Sequence, residues 1–479
     1  EFDRLGRHVI LLEGGGAEFS QESQELYSGE SHGVPLPYGL RGSRFRYFGG
    51  STNCWGGGCG ELDEEDFVSR DWVGLSGWPI TKDDLRPWYK KAESFLNVTG
   101  PVSDPQGYAN TFKTLPGLET KCLTPTPIVR FNVEFATDLK NSENIKLILG
   151  ANCTDIVRLP DSNSVDHLII KSFSGGESRV RGMAFVLACG GIENARILLN
   201  AYEQSENPLA INENTGRYFS DHPIAPCATI LGYQNSNDQG DLDVTSIMEK
   251  SPGKSVPLPY YKLPFEIQKQ HGVLNGVVQF IFTQAELTAS ASAAWRLRNW
   301  AKGNTATLKL DDVKAVLSDP LSVFKAISQR SDGRFRLAMR FQIEQSPNKS
   351  SRVELSSERD YFGLKKTKLN WQFSDIERKT VDVLNYYVAK IFAAEDLGLL
   401  KLDVSIQKNA LSMPSDLRGG QHHSGATRMS VSPQLGVVDS DLKVFGLDNL
   451  FVTGSSVFPT NGWVNPTFSI IALSLRLTS

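Results

Sequence analysis

Histidine is scarce in this 479-residue chain: there are seven, and two of them stand side by side at His422 and His423. Cysteine is equally sparse, six residues scattered as Cys54, Cys59, Cys122, Cys153, Cys189 and Cys227 with no C-x-x-C pair. That pattern argues against a zinc site or a disulfide-stapled scaffold and fits a reducing compartment. No apolar run reaches the length of about 18 residues that a transmembrane helix needs. No charged n-region with an apolar h-region opens the sequence either, which leaves a signal ahead of residue 1 an open matter. Charge of one sign is missing too: the formal net charge is −4, so no global field favours a phosphate backbone, and nucleic acid is not an expected partner. Two basic stretches, Arg41 to Arg46 and Arg330 to Arg340, read as solvated or ligand-facing segments. What remains is ordinary for a globular enzyme, 40% hydrophobic residues in a chain long enough for two to four domain-sized units.

The apolar run His8 to Leu12 ends in Glu13 and then Gly14, Gly15 and Gly16, which predicts a buried strand followed by a turn. Glu1 to Gly6 resemble the tail of a helix closed by a glycine. Helix tail, turn and strand ending in an acid make the second half of a βαβ dinucleotide unit, in which that acid binds ribose hydroxyls about 20 residues beyond a glycine-rich phosphate loop. Glu13 sits too early for that, so the first strand and G-x-G-x-x-G loop are expected before residue 1. The equal alternative is that this run is any buried strand.

Residues 49–58 hold five glycines in ten, with Cys54 and Trp55 among them. Such density lets backbone approach a flat ligand, and a flexible linker is the competing reading. Thr81 is placed to cap a structural helix after Gly77-Trp78-Pro79. Strands over Asn144 to Leu159, Leu168 to Ser172 and Val180 to Ala188 predict a meander running into Ala188-Cys189-Gly190, where a helix starts whose first N–H groups favour negative charge. From 226 to about 410 the texture changes to alternating strands, such as Gly276 to Phe282 and Phe335 to Ile343, as in an antiparallel sheet.

The last sixty residues carry most of the information. Gln421-His422-His423-Ser424-Gly425-Ala426-Thr427-Arg428-Met429 precedes the strand Asn449 to Gly454. Asn465-Pro466-Thr467-Phe468 then opens an apolar helix to about Leu477. Pro466 suits the first helical position, which makes Asn465 the natural N-cap; catalysis is the bolder reading of the same residue. A pair of histidines is likewise more often structural than catalytic.

This ending resembles the glucose-methanol-choline (GMC) oxidoreductases, whose H-x-x-G-[TA]-x-R-M is followed some forty residues later by a His or Asn before Pro-Thr. Counting from Met429 matches His422, not His423, to the family's catalytic histidine, and Asn465 to its second position. The form with Asn is similar to the branch of pyranose oxidase and bacterial sugar or gluconate dehydrogenases. Val9 to Gly16, Gly49 to Gly58, Leu187 to Leu199 and Gly216 to Pro223 match further motifs, as does Glu344 to Val353, taken as a hairpin.

The resemblance implies an α/β fold: a Rossmann-like FAD-binding domain over 1–225, an antiparallel-sheet substrate domain over 226–414, and a return to the first domain over 415–479. It assigns FAD contacts to Glu13 and Gly14, then to Gly49, Gly50, Ser51, Asn53, Cys54, Trp55 and Gly56. Others fall on Cys153, Ala188, Gly190 and Asn194, and on Gly454, Ser455, Asn465, Pro466 and Thr467. Cys54 stands where some relatives carry a flavin-linking histidine, so non-covalent FAD is expected. The implied reaction oxidises the CH–OH group of a sugar, sugar acid or glycoside, with His422 as base and Asn465 holding the substrate oxygen. Oxygen, a quinone or a cytochrome would take the electrons. A lyase or decarboxylase on the same fold, or a silent flavin-binding protein, is the alternative.

Overall fold

The computed structural model describes residues 1–98, 102, 114–205, 208–210, 212–233, 259–282, 293, 310–320, 334–395, 397, 399–402 and 417–479. The expected basic stretch at 330–340 and the end of the alternating region near 410 therefore lie partly outside the described residues.

Two short parallel strand pairs frame the first layer. Val9–Glu13 pairs with Ile145–Leu149, and Phe185–Leu187 pairs with Leu450–Val452, so the chain's last strand returns to its first half. Among the described residues each pair stands alone. The first strand is consequently not buried as expected: Ile10 is 47% and Leu11 40% exposed, because only one neighbour covers its apolar side chains. Glu1 to Gly6 form turns rather than a helix, with Leu5 N bonded to Glu1 O and Gly6 at φ +64°.

The run expected as one strand over 144–159 divides at Gly150, whose φ of +68° breaks it. Its second half, Asn152–Arg158, opens an antiparallel meander with Val165–Lys171 and Glu177–Arg181. Phe185–Leu187 leaves the meander for the parallel pair and delivers the chain to the helix Gly190–Gln204.

The second layer is an antiparallel sheet in the order Leu399–Leu402, Pro223–Tyr233, Arg334–Ile343, Gly276–Phe282, Pro259–Lys262, Glu119–Cys122, with Arg418–Gly419 added beside Pro223–Ile224. Alternation places Ala225, Cys227, Val278, Met339 and Phe341 in a core against Val381, Leu384 and Val388. Those three belong to the helix Asp375–Ala394, started by a capping box of Ser374 and Glu377. Glu344 to Val353 does not close a hairpin. Arg352–Arg359 pairs instead with Lys365–Trp371, which takes Gly29–Gly33 as a parallel partner, so the loop passes between two sheets.

Thr81 caps the helix Lys82–Phe95 through a capping box with Asp84, as expected. Tyr89 of that helix stacks on Phe468 of the C-terminal helix Thr467–Leu477, and its hydroxyl meets Ser469 Oγ at 2.8 Å. Between the layers lies an ion pair: Arg70 Nη1 and Nη2 donate to Glu344 Oε2 and Oε1 at 2.8 and 2.6 Å, both side chains having 0% exposure. Removing one member strands a buried charge. Glu344→Ala should therefore lower unfolding stability by about 3–5 kcal/mol, read from the urea midpoint; an unchanged midpoint would contradict the pairing.

Candidate active site

The segments expected to hold a cofactor converge around the ends of the parallel strands. At the end of the first strand Glu13 Oε1 accepts from Gly15 N at 2.6 Å, and the following turn lies against Arg46. Arg46 reaches Asn152 Oδ1 at 2.8 Å and Ser23 Oγ at 3.0 Å. The charges of Glu193, Arg46 and Glu13 all act on the Cys189 thiol, and Cys189 in turn acts on Cys153. Glu13, Arg46, Cys153 and the Ala188–Gly190 turn thus share one neighbourhood. Arg44 corrects the reading of its basic stretch: it is buried, pairs with Glu193 at 2.7 Å and lies over the Tyr27 ring, while Arg41 pairs with Glu25 on the surface.

The glycine-rich segment forms a 3-10 turn, Gly50–Asn53, after Gly49. Asn53 Nδ2 is spent on Phe48 O and Gly50 O, and Trp55 Nε1 on Val129 O at 2.9 Å. Cys54 Sγ stays near Ser51 O. Asn194 is a clasp: Oδ1 accepts from Cys189 N, and Nδ2 donates to Thr453 O and Ser456 Oγ, all at 2.8–2.9 Å. These three bonds fasten the helix Gly190–Gln204 to the 453–456 loop. Ser455 Oγ donates to His423 O at 2.6 Å, so this loop also carries the histidine segment.

That segment is built on a carboxylate the sequence reading passed over as part of a turn. Asp221 has no exposure, and its oxygens accept from the backbone N–H of His222, His422 and Gln421 at 2.7, 2.8 and 3.1 Å. Burial nevertheless pushes its carboxyl up to about 7 against those bonds. His422, partly buried, places Nδ1 2.7 Å from His222 Nδ1, the rings crossing at 80°. His222 Nε2 lies 3.2 Å from the main-chain oxygen of Asn461. Burial lowers His222 to about 4 and His423 to about 3, and burial with its two histidine neighbours holds His422 well below the ordinary range. His422 Nε2 has no hydrogen bond among the described residues and is not one of the sealed-off unpartnered atoms, whereas His423 Nε2 is.

Asn465 does not cap the C-terminal helix. Pro466 holds the cap position with helical φ, its carbonyl accepting from Ile470 N, and Asn465 Nδ2 donates to Gly58 O at 3.0 Å. One N–H and the side-chain oxygen of Asn465 are left over. The loop before it is tightly seated: Trp463 Nε1 donates to Asp63 Oδ2, Thr460 Oγ1 to Asp66 O, and Gly462 at φ +54° lets Asp66 approach where a Cβ would collide at 2.5 Å. Asn461, also unremarked in the sequence, ties this loop to Gln345 N through Oδ1 and to His222 through its carbonyl. Among the described residues no hydrogen bond joins His422 to Asn465; Asn461, four positions before Asn465, connects them through His222.

Residues 347–474 match the family described as GMC oxidoreductase. A 2-methyl-1,2-propanediol dehydrogenase from Mycolicibacterium austroafricanum is 22% identical over 96% of this chain and 85% of its own length. The C-terminal part of the chain is thus that of a GMC oxidoreductase. A C-glycoside 3-oxidase from Microbacterium trichothecenolyticum is 29% identical over 26% of this chain and 23% of its own. The fold matches a formate oxidase variant from Aspergillus oryzae, made to follow the effect of a mutation on FAD modification, at TM-score 0.56 and 15% identity, covering 98% of this chain and 93% of that one.

FAD is the cofactor of this family, and the chain's own backbone leaves open space at several of the glycines expected to face it. At Gly50, Gly56 and Gly190 no protein atom lies within 4 Å of a Cβ position, and at Gly454 only Asn194 Nδ2 does, at 3.9 Å.

The buried histidines of this oxidoreductase also set a pH response. Unfolded, each protonates near 6.5; folded, His222 and His423 wait until about 4 and 3. Between 6.5 and 4 the unfolded state binds more protons, so stability falls as pH falls. Carboxyls that burial raises act in the opposite sense, Asp221 from 3.8 to about 7 and Asp66 and Glu377 upward as well, so the share of one histidine is read as a difference between the protein and its variant. His423→Phe should flatten the decline in urea midpoint between pH 6.5 and 4.5; an unaltered slope would show that His423 titrates freely.

Proposed function

We propose that the protein oxidises a CH–OH group, with His422 taking the hydroxyl proton and Asn465 holding the substrate oxygen. The observation that carries this is His422 Nε2: an imidazole nitrogen without a partner, on a ring kept neutral by burial and backed by His222. A general base must be unprotonated at the working pH and within reach of the hydroxyl. The lowered pKa of His422 meets the first condition across the neutral range.

Asn465 keeps one Nδ2–H after its bond to Gly58 O. Directed at the substrate oxygen, that N–H stabilises the negative charge that grows as the proton leaves. Bound FAD supplies the hydride acceptor at N5. Glu13, the 49–56 segment, the Ala188–Gly190 turn, Gly454 and Ser455, and the start of the last helix would hold the cofactor. Cys54, in the place of a flavin-linking histidine, supports non-covalent attachment.

A sugar, sugar acid or glycoside is the favoured substrate class, the C-glycoside 3-oxidase being one relative. The diol dehydrogenase points to a smaller molecule. Glycosides and 1,2-diols share a hydroxyl beside another hydroxyl-bearing carbon, so a single CH–OH group of that kind is the feature common to both relatives' named substrates. Oxygen, a quinone or a cytochrome completes the cycle.

His422→Ala should slow anaerobic flavin reduction by about 10²- to 10⁴-fold while FAD content stays unchanged; near-normal reduction would remove His422 from this role. In the same preparation, acid precipitation should leave the yellow colour in the supernatant, and a coloured pellet would mean a covalent link.

A further inference from the structure

The pairing of His222 with His422 carries information that neither ring holds alone. His222 Nε2 faces the Asn461 carbonyl at 3.2 Å, and a carbonyl only accepts, so this nitrogen bears the proton. A neutral imidazole has one N–H, which leaves His222 Nδ1 as a lone pair. The facing His422 Nδ1, 2.7 Å away, must then be the donor. We infer that His222 is a positioning residue that locks His422 in the Nδ1–H tautomer, so that the lone pair of His422 stands on Nε2, the nitrogen that meets substrate.

The opposite tautomer is disfavoured at both ends. With the proton on His422 Nε2, two lone pairs would confront each other across the Nδ1–Nδ1 contact. Reversing both rings restores that contact, but then His222 Nε2 would set a lone pair against the oxygen of Asn461. The anchor for the arrangement is thus a main-chain carbonyl, which cannot titrate or rotate away. Asn461 is itself fixed by Gln345 N on its side-chain oxygen, and its own exposure is 2%. Asp221 holds the His222 and His422 main chains on adjacent bonds, which keeps the two rings in register.

The device has the logic of the aspartate in a Ser-His-Asp triad, where the third group selects tautomer and orientation. It differs in charge. His222 is neutral, so it orients His422 without the negative charge by which an aspartate raises an imidazole's proton affinity, and the low basicity that burial gives His422 survives the contact. After proton capture both His422 nitrogens carry hydrogen, and Nδ1–H still donates to His222, so the product state loses no bond.

This inference rests on the role proposed for His422, and its test separates the two. Imidazole-15N histidine is incorporated into the FAD-loaded chain, with the His422 signals assigned by their loss in His422→Gln. At neutral pH we expect a pyrrole-type Nδ1 and a pyridine-type Nε2. His222→Leu, which removes the acceptor, should mix the tautomers and slow anaerobic flavin reduction by about 10²-fold with substrate Kd and FAD content unchanged. His222→Asn, whose side-chain oxygen can occupy the Nδ1 position, should restore both the spectrum and most of the rate. A protonated Nε2 on His422 in the unsubstituted protein overturns the inference, and that measurement needs no variant to fold. So does a His222→Leu protein with unaltered spectrum and rate. Normal reduction by His422→Ala would instead strike the catalytic role and leave the tautomer result standing.

Discussion

Asp221 is the constraint on which the catalytic end of the molecule depends. A carboxylate without exposure is costly unless its lone pairs are filled, and here they are filled by main-chain N–H groups of residues 200 positions apart in sequence. Those bonds fix the backbone of Gln421, held at φ +60°, and of His422 beside it. The neighbouring strand ends, Pro223–Ile224 with Arg418–Gly419, extend the same union into the antiparallel sheet. Thus the segment bearing the proposed base is attached to the second layer through its backbone.

The other half of the site is attached differently. Asn465 follows a loop whose indole, hydroxyl and glycine are all committed to Asp63 and Asp66, themselves bonded to Asn275 and Lys121. A buried polar network of this kind is expensive when incomplete and rigid when complete. Asn461 is where the two systems meet, giving its side chain to Gln345 and its carbonyl to His222. Imidazole and carboxamide are therefore set by separate supports with one shared residue, which is how a chain can bring chemistry from distant positions to one place.

Much of this was legible in the residues. Periodicity located the strands Gly276–Phe282 and Arg334–Ile343, a capping residue located the helix at Lys82, and the H-x-x-G-A-x-R-M run pointed to the family. What escaped was whatever depends on partners far away in sequence. Asn465 followed by proline carries a sound local signal for an N-cap, yet the Gly58 carbonyl, 407 positions earlier, takes its N–H instead. Asn194 stands in a motif legible in the sequence, but its clasp on Cys189, Thr453 and Ser456 shows only in three dimensions. Glu344 to Val353 has the look of a hairpin, but the strand that starts at Arg352 takes Lys365–Trp371 as its partner, and Gly29–Gly33 lies beyond that. The dipeptide Asp221-His222 was in view as a turn motif; its function shows only when the 420–422 backbone is laid against it.

The proposed mechanism requires one imidazole and one carboxamide to address the same oxygen atom. A crystal structure of the FAD-loaded protein with an alcohol bound would show this. The expected result is a single substrate hydroxyl within hydrogen-bond distance of both His422 Nε2 and Asn465 Nδ2, with its carbon over the flavin. A hydroxyl bonded to neither side chain, or to one with the other turned away from the flavin, would contradict it.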